Sequence, residues 1–106
     1  METCVFCNIV KGVMGTKIEK ETENLVVFSD IKPQAAVHFL IIPKKHITDL
    51  GSLDDKTWKE IKDVAVMMAR DRSAKGFRLI HNSGDAASIS HLQVHFLADV
   101  MHDYTH

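Results

Sequence analysis

The chain has 106 residues, enough for one hydrophobic core and too few for two. Thirteen basic residues against fourteen acidic ones leave a net charge of −1, and 45% of the residues are apolar. That balance excludes a broad electrostatic grip on nucleic acid, which needs a clustered basic excess, and the longest apolar run, His38 to Pro43, is far too short to cross a bilayer. The N-terminal stretch lacks the basic flank and long apolar run of a signal peptide. A single domain over residues 1–106 is expected, in an intracellular, cytoplasmic setting with the nucleus left open.

Taken in chain order, Cys4 to Lys11 is a short apolar segment closed by Gly12, which predicts a short helix ending on a glycine cap. Residues 17–21 and 25–28, separated by Thr22-Glu23-Asn24, predict two strands joined as a hairpin. Asp30-Ile31-Lys32-Pro33 then breaks the pattern, because Pro33 donates no backbone hydrogen bond and restrains Lys32. The β-branched and aromatic run 37–43 predicts a third strand with His38, Leu40 and Ile42 on one face. After the basic loop Lys44-Lys45-His46, the capping-box spacing of Ser52 and Asp55 opens a helix to about Ser73. Its periodicity buries Trp58, Ile61, Val64, Ala65 and Met68 and exposes Lys59, Lys62 and Asp63. Met67 and Met68 are both expected in the core. Residues 77–80 form a fourth strand, 81–88 a loop and 89–97 a fifth strand. One long and one short helix with mostly hairpin-like connections imply an α+β domain on a sheet of about five mainly antiparallel strands.

Within 89–97, strict alternation puts His91, Gln93 and His95 on one face and Leu92, Val94 and Phe96 on the other. Two histidines flanking an amide suit either a solvated face or phosphate chemistry, and spacing alone does not choose. Cys4-Val5-Phe6-Cys7 is equally open: such a pair can bind zinc, run thiol-disulfide chemistry or be two buried thiols. Redox use is the weakest of these, since no thioredoxin-like βαβ context surrounds it.

The alternating segment, together with the block Asp30-Ile31-Lys32-Pro33-Gln34 through His38-Phe39-Leu40-Ile41-Ile42-Pro43-Lys44-Lys45-His46-Ile47, resembles the two hallmarks of the histidine-triad (HIT) nucleotide-binding family. The similarity runs from about Cys4 to Leu97, with Gln93 where the family carries its middle histidine. Ser88-Ile89-Ser90-His91 and the cysteine pair look most like the third-type branch. The resemblance implies a HIT-like fold, a homodimer, and a purine nucleoside monophosphate or nucleotide conjugate bound at the end of the sheet, with neither nucleic acid nor membrane as a partner. Carried over by position, Asp30 would accept from the ribose hydroxyls, Phe28, Ile31 and Leu40 would surround the base, and Asn82 and Ser88 would hold the sugar and phosphate side. A carboxylate does suit a diol, and a glycine-containing loop with hydroxyls suits an anion. Asp30 before a turn proline is also an ordinary turn former.

In active members of the family the middle histidine attacks the α-phosphorus and becomes covalently nucleotidylated. Gln93 has an amide nitrogen whose lone pair is delocalised, so it can hydrogen-bond a phosphate but not carry it. His91 and His95 are each about 7 Å along a strand from Gln93, too far for the same in-line attack. His95 is therefore expected to donate to a phosphate oxygen, and His38 to orient the site from the neighbouring strand. Some family members bind zinc through positions that are Cys4, Cys7, His46 and His91 here, and four protein ligands make a structural rather than catalytic site. The expected function is a purine nucleotide-binding protein of the nucleoside phosphoramidate or nucleotidyl hydrolase type, impaired at Gln93. The alternatives are an active hydrolase using its remaining histidines and a zinc-stabilised, non-catalytic dimeric module. His102, Tyr104 and His106 are expected to fray.

Overall fold

A computed structural model describes residues 3–99 of the chain, so His102, Tyr104 and His106 lie outside the described residues. Five strands, β1 (Lys20–Glu21), β2 (Leu25–Ser29), β3 (Val37–Pro43), β4 (Phe77–His81) and β5 (Val94–Ala98), form one sheet in the order β1-β2-β3-β5-β4. Every neighbouring pair is antiparallel. A short helix α1 (Val5–Val10) and a long helix α2 (Asp55–Asp71) complete the fold. This is the α+β architecture that the sequence predicts.

The period of two divides the sheet between the helices. Leu25 and Val27 of β2, Phe39 and Ile41 of β3, and Val94, Phe96 and Ala98 of β5 pack with Ile61, Val64, Ala65 and Met68 of α2. Val26 and Phe28, with Leu40 and Ile42, face the other way and pack against Phe6 and Ile9 of α1. Alternation thus sends Val94, Phe96 and Ala98 of β5 to the long helix and leaves His95 on the α1 side.

Several local expectations need correction. Ser52 does not cap α2; it ends a 3-10 turn, and Asp54 is the cap, its carboxylate accepting from the Thr57 amide. Trp58 is 48% exposed, and Thr57 takes its place in a buried stripe that otherwise keeps Ile61, Val64, Ala65 and Met68. Met67 likewise faces solvent, leaving Met68 alone in the core. The fifth strand begins at Val94 rather than Ile89, because His91 turns away to other partners before the ladder starts. α1 does end as predicted, with Gly12 in the left-handed region at φ 77° where a side chain would be strained.

Glu60 ties α2 to the β1–β2 turn. Its carboxylate accepts from the Thr22 hydroxyl, the Asn24 amide N–H and the Asn24 side chain. The Thr22 hydrogen bond is the chief reason that its pKa is held below the ordinary value of 4.5. A depressed carboxylate stabilises the fold above its unfolded value and loses that contribution as pH falls through the folded one. Glu60→Ala strands these donors and is expected to cost about 2 kcal/mol at neutral pH, with a smaller deficit near pH 4, measured by denaturant unfolding at both pH values.

Candidate functional site

Two side-chain clusters form on the α1 side of the sheet. The first combines Cys4, the N-cap of α1, with Cys7 inside it, His46 from the loop after β3 and His91 just before β5. Their ligand atoms all lie within 4.8 Å of one another. Cys4 Sγ is 3.4 Å and Cys7 Sγ 3.5 Å from His91 Nδ1, and Cys7 Sγ is 3.2 Å from His46 Nδ1. Sulfur and nitrogen ligands of one tetrahedral zinc, with bonds of about 2.3 and 2.0–2.1 Å, stand about 3.6 Å apart. The donor set therefore fits that ion.

The surroundings of His91 suit the same role. The ring is fully buried, and its Nε2 donates to the Pro43 carbonyl at 2.8 Å, which leaves Nδ1 unprotonated toward the thiols. A ligating histidine is commonly held by such a bond on its other nitrogen. Neither Cys4 nor Cys7 is in a disulfide.

The second cluster is a hydrogen-bonded chain running across β3 and β5. The Gln34 backbone N–H donates to His38 Nδ1 at 3.1 Å, so the proton of neutral His38 sits on Nε2. That Nε2 lies 2.9 Å from His95 Nδ1 and 3.5 Å from Asp30 Oδ2, and the shorter contact is to His95. His95 Nδ1 must then accept, which fixes its own proton on Nε2 as the donor left for the cleft. Burial, followed by the neighbouring His38, also pushes the His95 imidazole below its ordinary range, against the pull of Asp30. His95 is a neutral hydrogen-bond donor held in one tautomer.

Asp30, His38 and His95 could by spacing hold an ion as well, with ligand atoms within 4.8 Å. The Gln34 bond opposes this. A metal on His38 Nε2 needs the proton on Nδ1, where it would face the Gln34 N–H.

The chain of histidines borders a cleft of about 470 Å3. Phe28, Asp30, Ile31, Leu40, Ser88, Gln93 and His95, all singled out from the sequence, line it. Ile31 is a rim residue, 92% exposed, whereas Phe28 and Leu40 form a buried floor. Asp30 is held by accepting from the Lys32 N–H through Oδ1. His38 stands behind the wall, and Asn82 is exposed and does not line the cleft. Gln93 is 6% exposed, its amide donating to the carbonyls of Ile89 and His91.

The sequence reading missed Val5, Phe6 and Ile9 of α1, which supply an apolar wall of the cleft. Their spacing along a helix marks a packing face, but nothing local says what it faces. It also placed His81 in a loop. His81 instead ends β4, where its Nδ1 donates to the Gln93 carbonyl at 3.0 Å.

Residues 3–105 match the protein family described as scavenger mRNA decapping enzyme C-term binding. The mouse protein named adenosine 5'-monophosphoramidase HINT3 is 37% identical over 109 residues, covering 92% of this chain and 64% of the mouse protein. The crystal structure of a HIT family hydrolase from Legionella pneumophila superposes with a TM-score of 0.88 at 31% identity, covering 97% of this chain and 98% of that one. That of a zinc-bound histidine triad family protein from Mycobacterium smegmatis gives a TM-score of 0.81 at 31% identity, over 91% of this chain and 74% of that one.

Proposed function

Because this chain belongs to the histidine-triad family, whose nucleotide hydrolase-like members it resembles along almost its whole length, we propose that it binds purine nucleoside monophosphates, or conjugates of them, and turns them over poorly. The observation that carries this reading is the cleft itself. It has an apolar floor for a base, a carboxylate for a ribose diol and a fixed N–H donor for a phosphate oxygen, in one continuous wall. At the position of the family's nucleophile it offers only a hydrogen-bonded amide.

The residues divide the work by chemistry. Phe28, Leu40 and the α1 wall remove an aromatic base from water. Asp30, its Oδ1 already fixed by the Lys32 amide, accepts from the ribose hydroxyls. His95 Nε2 donates to a phosphate oxygen, backed by His38. Gln93 can add a hydrogen bond but form no phosphorus–nitrogen bond that water could later break. Cys4, Cys7, His46 and His91 would hold a structural zinc, which supplies cohesion and no open coordination position. Phe77 and Leu79, exposed on β4 at the edge of the sheet, support pairing with a second copy.

Calorimetric titration of the zinc-loaded protein with adenosine monophosphate tests the reading. Binding is expected, and Asp30→Ala should weaken it by at least about tenfold through the lost charge-assisted hydrogen bonds. No binding, or equal binding by the variant, would overturn it and favour a module that keeps only the fold.

A further inference from the structure

The metal-ligating cluster and the cleft are built from the same two pieces of chain. α1 carries Cys4 and Cys7, and from the same turns it gives Val5, Phe6 and Ile9 to the cleft wall. Ser88 and Ile89 line the cleft three and two residues before His91, and the Gln93 amide is bonded to the carbonyls of both Ile89 and His91. Phe6 joins the two sites in space. Its ring meets His91 edge-on with centroids 5.8 Å apart, and meets Phe28 of the cleft floor at the same separation. α1 has only six residues, far below the length at which a helix holds its shape alone. Its place is set by packing and by whatever holds its two thiols.

We propose that a metal ion on Cys4, Cys7, His46 and His91 controls the affinity of the neighbouring cleft for purine nucleotides, with Phe6 as the positioning residue between them. The inference rests on the nucleotide-binding reading above. With the ion bound, Cys4 and Cys7 are pinned to His91, Phe6 is clamped between His91 and Phe28, and the cleft wall stands ready for a base. Without it, the wall must be ordered at the expense of binding energy. Two ligands that favour the same arrangement help each other by one shared factor, commonly between five- and about 150-fold.

The test measures that factor from both directions on the whole chain. Adenosine monophosphate is titrated into zinc-loaded and zinc-free protein, with an expected loss of about tenfold in affinity on metal removal. The zinc affinity is then measured by competition with a chromogenic chelator, with and without saturating nucleotide, and should change by the same factor. Phe6→Leu, which leaves all four metal ligands in place, should bring the factor close to one while zinc still binds. If the zinc-free chain unfolds, the competition arm on Phe6→Leu decides, because a coupling carried only by global folding would be unchanged by that substitution. Equal nucleotide affinity with and without zinc, a zinc affinity indifferent to nucleotide, no zinc uptake, or a full coupling factor in Phe6→Leu would each overturn the linkage and leave the nucleotide site standing. Failure of the zinc-loaded protein to bind nucleotide would instead remove the functional reading on which it rests.

Discussion

Replacing Gln93 with histidine is expected to raise turnover of an adenosine phosphoramidate by at least about a thousandfold, the scale at which covalent nucleophiles are missed when removed. The position is prepared for it. The Ile89 and His91 carbonyls that now accept from the Gln93 amide would accept an Nδ1 proton, leaving Nε2 unprotonated for attack on phosphorus. His95 would keep its donor in the cleft, since its tautomer is set by His38 and Gln34 and not by residue 93. Affinity for adenosine monophosphate should change far less than turnover, because the base and ribose contacts are untouched. Steady-state kinetics of the two proteins give the comparison, and trapping of a nucleotidylated protein only in the Gln93→His variant would identify the step gained. Equal turnover would place the catalyst at His95 or elsewhere and restore the active-hydrolase alternative.

Stripping the metal is expected to produce the largest change in stability. An ion that binds the folded chain alone stabilises it by about 4 kcal/mol when free metal is a thousandfold above its dissociation constant. For a domain of this size that corresponds to a fall in melting temperature on the order of 15 °C or more. The loss should be concentrated where Phe6 and Ile9 of α1 cover Val26, Phe28, Leu40 and Ile42. Calorimetric scans of zinc-loaded protein with and without chelator measure it, and Cys4→Ser with Cys7→Ser should reproduce the chelated curve and ignore the chelator. A melting temperature indifferent to chelator would mean that the four side chains hold no stabilising ion.

The parts of this molecule legible in its sequence are those fixed by period and residue type. The bounds of β3 follow from its β-branched and aromatic run, and the division of residues 92 to 96 between two faces follows from alternation. The edges of β1, α2 and β5 were not legible, because they are decided by competition between neighbours. Asp54 and Ser52 are both acceptable helix caps, and Asp54 won; Thr57 and Trp58 are adjacent in sequence, and the smaller side chain went inward. Asp30, Gln93 and His95, singled out from the sequence, all line the cleft. The bond from the Gln34 backbone to His38 carries no side-chain signature, and the α1 wall depends on packing over distance. Both came into view only with the fold.

One feature of the sheet bears on how the chain acquires its site during synthesis. Among the described residues β5 comes last of the strands yet lies between β3 and β4, and β4 pairs there with β5 alone. As the chain emerges from the ribosome, β4 must wait unpaired for the segment that carries Gln93 and His95. That same segment closes the hydrophobic core over α2 through Val94 and Phe96. A chain that ends before β5 therefore has neither a finished core nor a finished cleft.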